Sequence, residues 1–340
     1  MRRELSGLVV GVVLVVAVLL LLDVRRVAEN VARARTDLFL LALASGLAGV
    51  LLLGLALWQL RRALETATAE SPVRYFGAFL RAYFVRLIIP IGASGAPAIY
   101  AYVLHREFGT EFEEEFAVGT AAELLNYGAS AGVALAGLLL FTVDGGVFAY
   151  SGPLTAGIGA VLVGVAAAFA VLWYAPAAID RVVLAAAAGV NRTLGRLSRR
   201  VRDATADERV RRRLGQFHET TALLGRAPRT MAACTAITVL AWLALSAPLY
   251  LAVLALEASV PFALVLVAVP VSGFMYVLPV SGGLGGVEVA VGTILVAGTG
   301  LSIPLTAAAV LLYRLATYWV PVFVTGLATV VRPADLPTDI

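Results

Sequence analysis

LFLLALASGLAGVLLLGLALWQL, residues 38–60, runs for 23 positions without a charged side chain. As a helix it would be about 34 Å long, enough to cross the ~30 Å hydrocarbon core of a bilayer. Arg33, Arg35 and Asp37 precede it, and Arg61 and Arg62 follow, so charge sits at both ends and nowhere between. Outward from this stretch the pattern recurs at 7–22, 117–143, 154–174, 230–256 and 302–331. Hydrophobic residues make up 61% of the chain and charged residues 14%, against roughly 25% charged in soluble domains. A water-soluble fold would have to leave the excess apolar surface in water. Backbone polar groups in lipid must be satisfied within the segment or by a closed barrel, and the ~10-residue alternating strands of a barrel are absent. Two further regions, 86–104 and 261–300, are apolar but interrupted by Pro and Gly. The expected fold is all-α: a polytopic helical membrane protein with about six spanning helices plus two broken, re-entrant segments related as a pseudo-repeat. One domain is expected over residues 1–340.

The run 7–22 follows Arg2 and Arg3 as a signal peptide would, but Asp23-Val-Arg-Arg comes next instead of a small-residue cleavage site. It reads as a helix that stays. Cys234 is the single cysteine, which excludes an internal disulfide framework. Net charge is +4, and the excess lies in one connector, residues 174–229. Twelve Arg stand there against five acids, which places it on the cytoplasmic side of a cell membrane and next to anionic lipid. Loop 144–153 has no basic residue and is expected outside, with 105–116 and the C-terminus inside. For the N-terminal part, counting positive charge mildly favours 76–104 as a crossing. The broken motifs favour a segment that enters and returns, with the N-terminus inside and the four Arg of 23–37 outside. The re-entrant arrangement is the expected one. Region 261–300 either spans twice or dips in and out.

The most informative motif is Leu278-Pro-Val-Ser-Gly-Gly-Leu-Gly-Gly-Val-Glu288. Pro279, Ser281, Gly282, Gly283, Gly285, Gly286 and Glu288 stand inside an apolar region, where irregular backbone persists only against protein or a polar cavity. A helix restarting near Leu284 would aim its positive end into the break. Close helix packing is the alternative use of such glycines. Arg86-Leu-Ile-Ile-Pro-Ile-Gly-Ala-Ser-Gly-Ala-Pro97 repeats the theme with Pro90, Gly92 and Gly95. Paired interruptions of this kind point to a transport site. Arg86 stands at the mouth of the break, as a ligand contact or as a snorkelling interfacial Arg. Arg314 lies within the last apolar run, where a lone Arg costs at least ~2.5–3.5 kcal/mol. Glu288, Glu123 or a ligand phosphate can neutralise it. Glu123, Asn126, Tyr127 and Ser130 share one helical face, which should meet the bundle or a cavity. The acids of 107–115 read as a solvated loop. His105 and His218 are the only histidines, no Walker, Rossmann or zinc spacing is found, and no metal or cofactor is expected.

Pro279-Val-Ser-Gly-Gly-Leu-Gly-Gly-Val-Glu288 resembles the Pro-x-x-Gly-Gly-x-Gly-x-x-Glu signature of the lysylphosphatidylglycerol synthase transmembrane-region family, also called flippase-like. Arg86–Gly95 is similar to its Leu-x-Pro-x-x-x-Gly-Glu segment, with Ala96 in place of Glu and Arg86 where Asn is common. Glu123-Leu-Leu-Asn-Tyr resembles its Glu-Arg-x-x-Asp element, and Leu312-Tyr-Arg314 with Pro321 its last helix. The resemblance implies two re-entrant segments facing each other across the membrane, and translocation of lipids with modified headgroups. Soluble transferase domains found in some members are not expected within these 340 residues, so synthesis is not carried over. The expected function is a flippase, or a binder, of lipids with polar or phosphate headgroups, and not an enzyme. Substrate contacts are expected from Arg86, Pro90, Gly92, Gly95, Glu123, Pro279, Ser281, Gly282, Gly283, Gly285, Gly286, Glu288 and Arg314. The expected partners are a membrane phospholipid or lipid-linked headgroup, and a second copy of the chain in a homodimer; nucleic acid is not expected. Two rivals make different predictions. An intramembrane enzyme acting on a lipid-linked phosphate, with Glu288 as base, would show turnover when purified. A non-transporting membrane partner of a lipid-modifying or glycosyltransferase enzyme would depend on Arg199–Arg213.

Overall fold

The computed structural model describes residues 24–63, 71–90, 95–145, 226–277 and 280–330, with isolated positions between 159 and 223. The expected spans 7–22 and 154–174 and nearly all of the Arg-rich connector lie outside the described residues. The described elements are α1 (Val24–Ala32), α2 (Thr36–Arg62), α3 (Pro72–Ile88), α4 (Ala96–Phe108), α5 (Phe112–Val143), α6 (Pro228–Ala255), α7 (Phe262–Gly273), α8 (Gly286–Thr299), α9 (Ile303–Arg314) and α10 (Val320–Val330). Short 3-10 turns, Phe274–Val277 and Ser281–Gly283, lie between α7 and α8, and one π turn, Leu315–Trp319, joins α9 to α10. The protein is a polytopic helical membrane protein. Four of the expected runs are helices long and apolar enough to span: α2, α5, α6 and the α9–α10 unit. Ser281–Thr299 reaches that length only by joining the 3-10 turn to α8.

Ion pairs and backbone bonds fix which helix ends lie together. Arg74, near the start of α3, bonds Glu107, near the end of α4, at 2.8 Å. The two helices are therefore antiparallel, and the segment returns to the end it came from. At about 25 Å and 20 Å, its 17- and 13-residue arms fall short of a hydrocarbon core, so their inner ends, Ile88 and Ala96, lie inside it. Arg61, at the end of α2, pairs with Glu115, in the first turn of α5, at 2.6 Å with both side chains buried. The Arg61 end of the bundle thus collects the ends of α2 and α4 and the starts of α3 and α5. At the opposite end, the Arg35 N–H donates to the Ala255 carbonyl at 2.9 Å. A Cβ on Gly298 would meet Leu264 at 2.6 Å, and one on Gly137 would meet Leu266 at 2.7 Å. The end of α8 therefore lies beside the start of α7, and α5 runs antiparallel to α7. The second hairpin, α7–α8, accordingly inserts from the Arg35 end, which resolves the two readings of 261–300 in favour of a return.

Each hairpin has its own apolar core. The first buries Tyr75, Phe79, Tyr83 and Leu87 against Leu57 and Leu60 of α2. The second buries Leu264, Val265, Val287 and Val291 against α5 and α6. In lipid such contacts gain no hydrophobic drive, so close packing and polar bonds hold the helices together. Gly49 of α2 admits Leu245 of α6, which a Cβ would approach to 2.6 Å. Pro248 within α6 cannot bond the Ala244 carbonyl, and the Ser45 hydroxyl of α2 donates to it instead at 2.8 Å.

The reading of 107–115 as solvated needs correction. Glu107 accepts from Arg74 and Arg81, Glu115 accepts from Arg61 and Thr110, and both carboxylates are buried. Three arginines on two neighbouring elements, Arg61 of α2 and Arg74 and Arg81 of α3, bury them.

Antiparallel arms make a labelling prediction. In a Cys234→Ser background, Ser71→Cys and Glu111→Cys should react with an impermeant maleimide from one side of the membrane and Ser302→Cys from the other. Reaction of Ser71→Cys and Glu111→Cys from opposite sides would contradict the returning hairpin.

Candidate functional site

The two hairpins meet tip to tip. Ser281, in the turn of the second, donates its hydroxyl to the Ile88 carbonyl at the last turn of α3, at 2.9 Å. Nothing in the residue pattern marks this bond.

The second break is held open by one arginine. Arg314 is 1% exposed, yet its guanidinium has a partner on each nitrogen. Nε donates to Glu288 Oε1 at 2.7 Å, Nη2 to the Gly282 carbonyl at 2.7 Å and Nη1 to the Tyr276 hydroxyl at 3.2 Å. The Tyr318 ring lies against the guanidinium, 4.6 Å from centroid to Cζ. Glu288 is the third residue of α8, and its Oε2 accepts the Gly285 N–H at 2.7 Å, half of a capping box. Both Glu288 oxygens are thus engaged inside the fold. Of the neutralising partners open to Arg314 from the sequence, the structure selects Glu288. The π turn directly after Arg314 shifts the helix phase, so Thr317 faces the interior while Tyr318 reaches the break.

Gly282 sits at φ +57°, and a Cβ there would lie 1.9 Å from the Tyr318 ring. Gly285 caps α8 at φ +85°, ψ −49°, a conformation that side chains resist. Gly286 is ordinary helix.

Between the tips lies a cavity of about 80 Å³, room for several waters. Tyr83, Arg86, Asn126, Tyr127, Ser130, Trp242, Ser272, Tyr276, Gly282, Tyr313 and Thr317 contribute to its wall. Arg86 is the one charged side chain among these lining residues. It stands about 21 Å along α3 from its start, which excludes the interfacial, snorkelling reading. Arg86 Nη2 meets Glu123 Oε2 at 3.3 Å and Nη1 meets the Tyr100 hydroxyl at 3.3 Å. Asn126 Nδ2 donates to the same Glu123 oxygen at 3.3 Å, while Trp242 Nε1 donates to Asn126 Oδ1 at 3.0 Å. Arg86 and Glu123 also line a neighbouring pocket of about 20 Å³. Arg314 is clamped by two bonds of 2.7 Å and a third of 3.2 Å, whereas both bonds of Arg86 are 3.3 Å.

Among the sequence-derived candidates, the structure brings together Arg86, Glu123 and Gly282 around these cavities. Ser281, Gly283, Gly285, Gly286, Glu288 and Arg314 build the break behind them, and Pro90 and Gly95 flank the first break. Gly92 and Pro279 lie outside the described residues. Tyr83, Trp242, Tyr276 and Tyr313 were missed because they count as apolar in a hydropathy run. The available signal was a polar ring atom at mid-span, which needs a partner when buried.

A bundle with two hairpins inserted from opposite ends, meeting at a polar cavity, defines a polytopic helical membrane protein with a polar site at mid-depth. The chain belongs to the lysylphosphatidylglycerol synthase TM region family, whose pattern matches residues 7–325. No curated protein matches the chain.

The break makes a stability prediction. Glu288→Gln leaves Arg314 without its counter-charge and should cost about 3–5 kcal/mol, the penalty for breaking a buried pair. Gly282→Ala should lower the melting temperature of the detergent-solubilised protein strongly, and Gly286→Ala by little. Equal melting of the Gly282→Ala and Gly286→Ala proteins would refute the packing assigned to Tyr318.

Proposed function

We propose that the protein binds and translocates lipids with a phosphate-bearing headgroup and performs no chemistry on them. The headgroup enters the cavity between the hairpin tips, its phosphate meets Arg86, and the acyl or isoprenoid chains remain in lipid. The observation that carries this reading is a guanidinium on the wall of a mid-membrane polar cavity, held by hydrogen bonds of 3.3 Å. Charge there has no use in packing, and long bonds yield to a better acceptor. A phosphate can take two parallel N–H bonds from one Arg. Of the two arginines at this depth, Arg314 is the frame and Arg86 the contact.

The cavity as it stands holds waters and not a whole headgroup. Movement of the lipid therefore requires the tips to part, and the Ser281–Ile88 hydrogen bond that joins them among the described residues is a weak tie compared with the ion pairs at the first hairpin's base. The proposed orientation puts the Arg61 end, with the Arg-rich connector that precedes α6, in the cytoplasm of a cell membrane. Glu288 as the base of an intramembrane enzyme has less support, since Arg314 and Gly285 take both its oxygens.

Reconstitution tests the proposal. Liposomes carrying the protein should exchange a fluorescent phosphatidylglycerol between leaflets, with the lipid recovered chemically unchanged by mass spectrometry. Losing a charge-assisted bond costs about 1.5–3 kcal/mol, so Arg86→Gln should slow exchange at least tenfold. Arg86→Lys should fall between, keeping charge without the planar fork. Exchange by Arg86→Gln at the parent rate would remove the phosphate role, and a modified lipid product would favour the enzyme.

A further inference from the structure

Glu123 differs from the other buried carboxylates. Glu115 and Glu107 accept bonds of 2.6 Å from arginines, and Glu288 has a donor on each oxygen. Glu123 has two bonds of 3.3 Å, from Arg86 and Asn126, and both fall on Oε2. Its Oε1 meets no donor among the described residues. The side chain is nonetheless 10% exposed, on the wall of the smaller pocket. That pocket is continuous in its lining with the larger cavity, since Arg86 and Asn126 belong to both.

Charge balance then constrains what a ligand can do. With no ligand, Arg86 and Glu123 form a neutral pair. When a singly charged phosphodiester takes the guanidinium, one cation faces two anions in a region shielded from water. Among the described residues, the surroundings offer no second cation. From α3 come Arg86 and Tyr83, from α4 Tyr100, and from α5 Asn126 and Tyr127. The α2 and α6 walls contribute Leu53, Ala56, Leu57 and Thr238. Arg314 is committed to Glu288. An uncompensated buried charge is among the most costly features a protein can carry. A proton on the bare Oε1 restores neutrality.

We propose that Glu123 is a proton-binding site coupled to the headgroup site: an anionic group arriving at Arg86 displaces Glu123, which takes up one proton from water. The step balances as carboxylate plus proton to carboxylic acid, with no bond of the lipid altered. Arg86, phosphodiester and protonated Glu123 are together neutral, as the empty Arg86–Glu123 pair was. The headgroup then crosses accompanied by one proton, so a transmembrane pH difference biases the direction of lipid movement. This inference rests on the reading of Arg86 as the phosphate contact.

The test uses the full-length protein in an uncharged detergent and short-chain dihexanoyl phosphatidylglycerol, a phosphodiester that does not itself titrate near neutrality. Calorimetric titration in buffers of different ionisation enthalpy counts protons taken up on binding. The parent protein should take up close to one proton per bound probe near pH 7. Its Kd should weaken by up to about tenfold per pH unit above that, as linkage requires. Glu123→Gln should bind with no proton uptake and a Kd flat with pH. Melting of Glu123→Gln near the parent temperature separates lost proton uptake from a folding defect, and the charge-neutral double variant Arg86→Gln/Glu123→Gln, which lacks the phosphate contact, should fold but not bind the probe. Binding by the parent without proton uptake, or uptake that survives in Glu123→Gln, overturns this proposal and leaves the Arg86 reading in place. Failure of the parent to bind the probe at all overturns both.

Discussion

A guanidinium at the depth of Arg314 cannot be left to the lipid, and the second hairpin is organised around that constraint. An Arg at the centre of a spanning helix costs at least ~2.5–3.5 kcal/mol on insertion. Here the cost is met by Glu288, by the Gly282 carbonyl and by the Tyr276 hydroxyl. Each of these partners also has a second task. Glu288 caps α8, Gly282 carries the left-handed turn that ends the break, and Tyr276 lines the cavity. The arginine therefore satisfies one backbone carbonyl of the interruption together with the carboxylate and hydroxyl that frame it. Remove it, and neither the turn nor the restart of α8 has a reason to hold.

The same logic explains why the polar cavity lies where it does. The first hairpin enters from the Arg61 end, anchored by Arg74, Arg81 and Glu107. The second enters from the Arg35 end and presents Ser281 to the first. Two half-length insertions put two helix interruptions at one depth, and the polar side chains of the cavity wall gather there. Firm ion pairs at the first hairpin's base and at the second break, against a hydroxyl bond between the tips and long bonds around Arg86, give a graded structure. The bases are built to stay and the centre to rearrange, as a path for a headgroup requires. The lysylphosphatidylglycerol synthase TM region family, to which the chain belongs, supplies the lipid context; the phosphate contact and the proton at the cavity are our proposals.

Much of this architecture is legible in the residues. Hydropathy runs give the spans, because crossing hydrocarbon demands about 20 apolar positions in sequence. The Pro and Gly interruptions at 86–97 and 278–288 give the breaks, because backbone irregularity in lipid needs a local cause. The pairing of charges is a different kind of information. Glu288 and Glu123 were both open as partners of Arg314, and only the antiparallel return of α7–α8 puts Glu288 beside it. Glu107 and Glu115 look like a solvated acidic loop until Arg61, Arg74 and Arg81 are folded over them. The aromatic wall of the cavity is hidden for another reason. Tyr276, Tyr313 and Trp242 sit in apolar runs that hydropathy alone reads as lipid-facing or packed. The π turn at Leu315–Trp319 leaves no mark in composition at all.

The central claim is that the tips of two oppositely inserted hairpins share one cavity. Leu87, on the first tip, and Val280, on the second, both line it, although 193 positions separate them in the chain. Paired cysteines at these two positions, in a Cys234→Ser background, can be treated with a short homobifunctional thiol reagent in native membranes. Protease cleavage within the Arg-rich connector then separates the halves unless they are linked. The account predicts that the two halves stay joined in the double variant and separate in each single variant. Halves that always separate, although each cysteine alone reacts with a small thiol reagent, would contradict it.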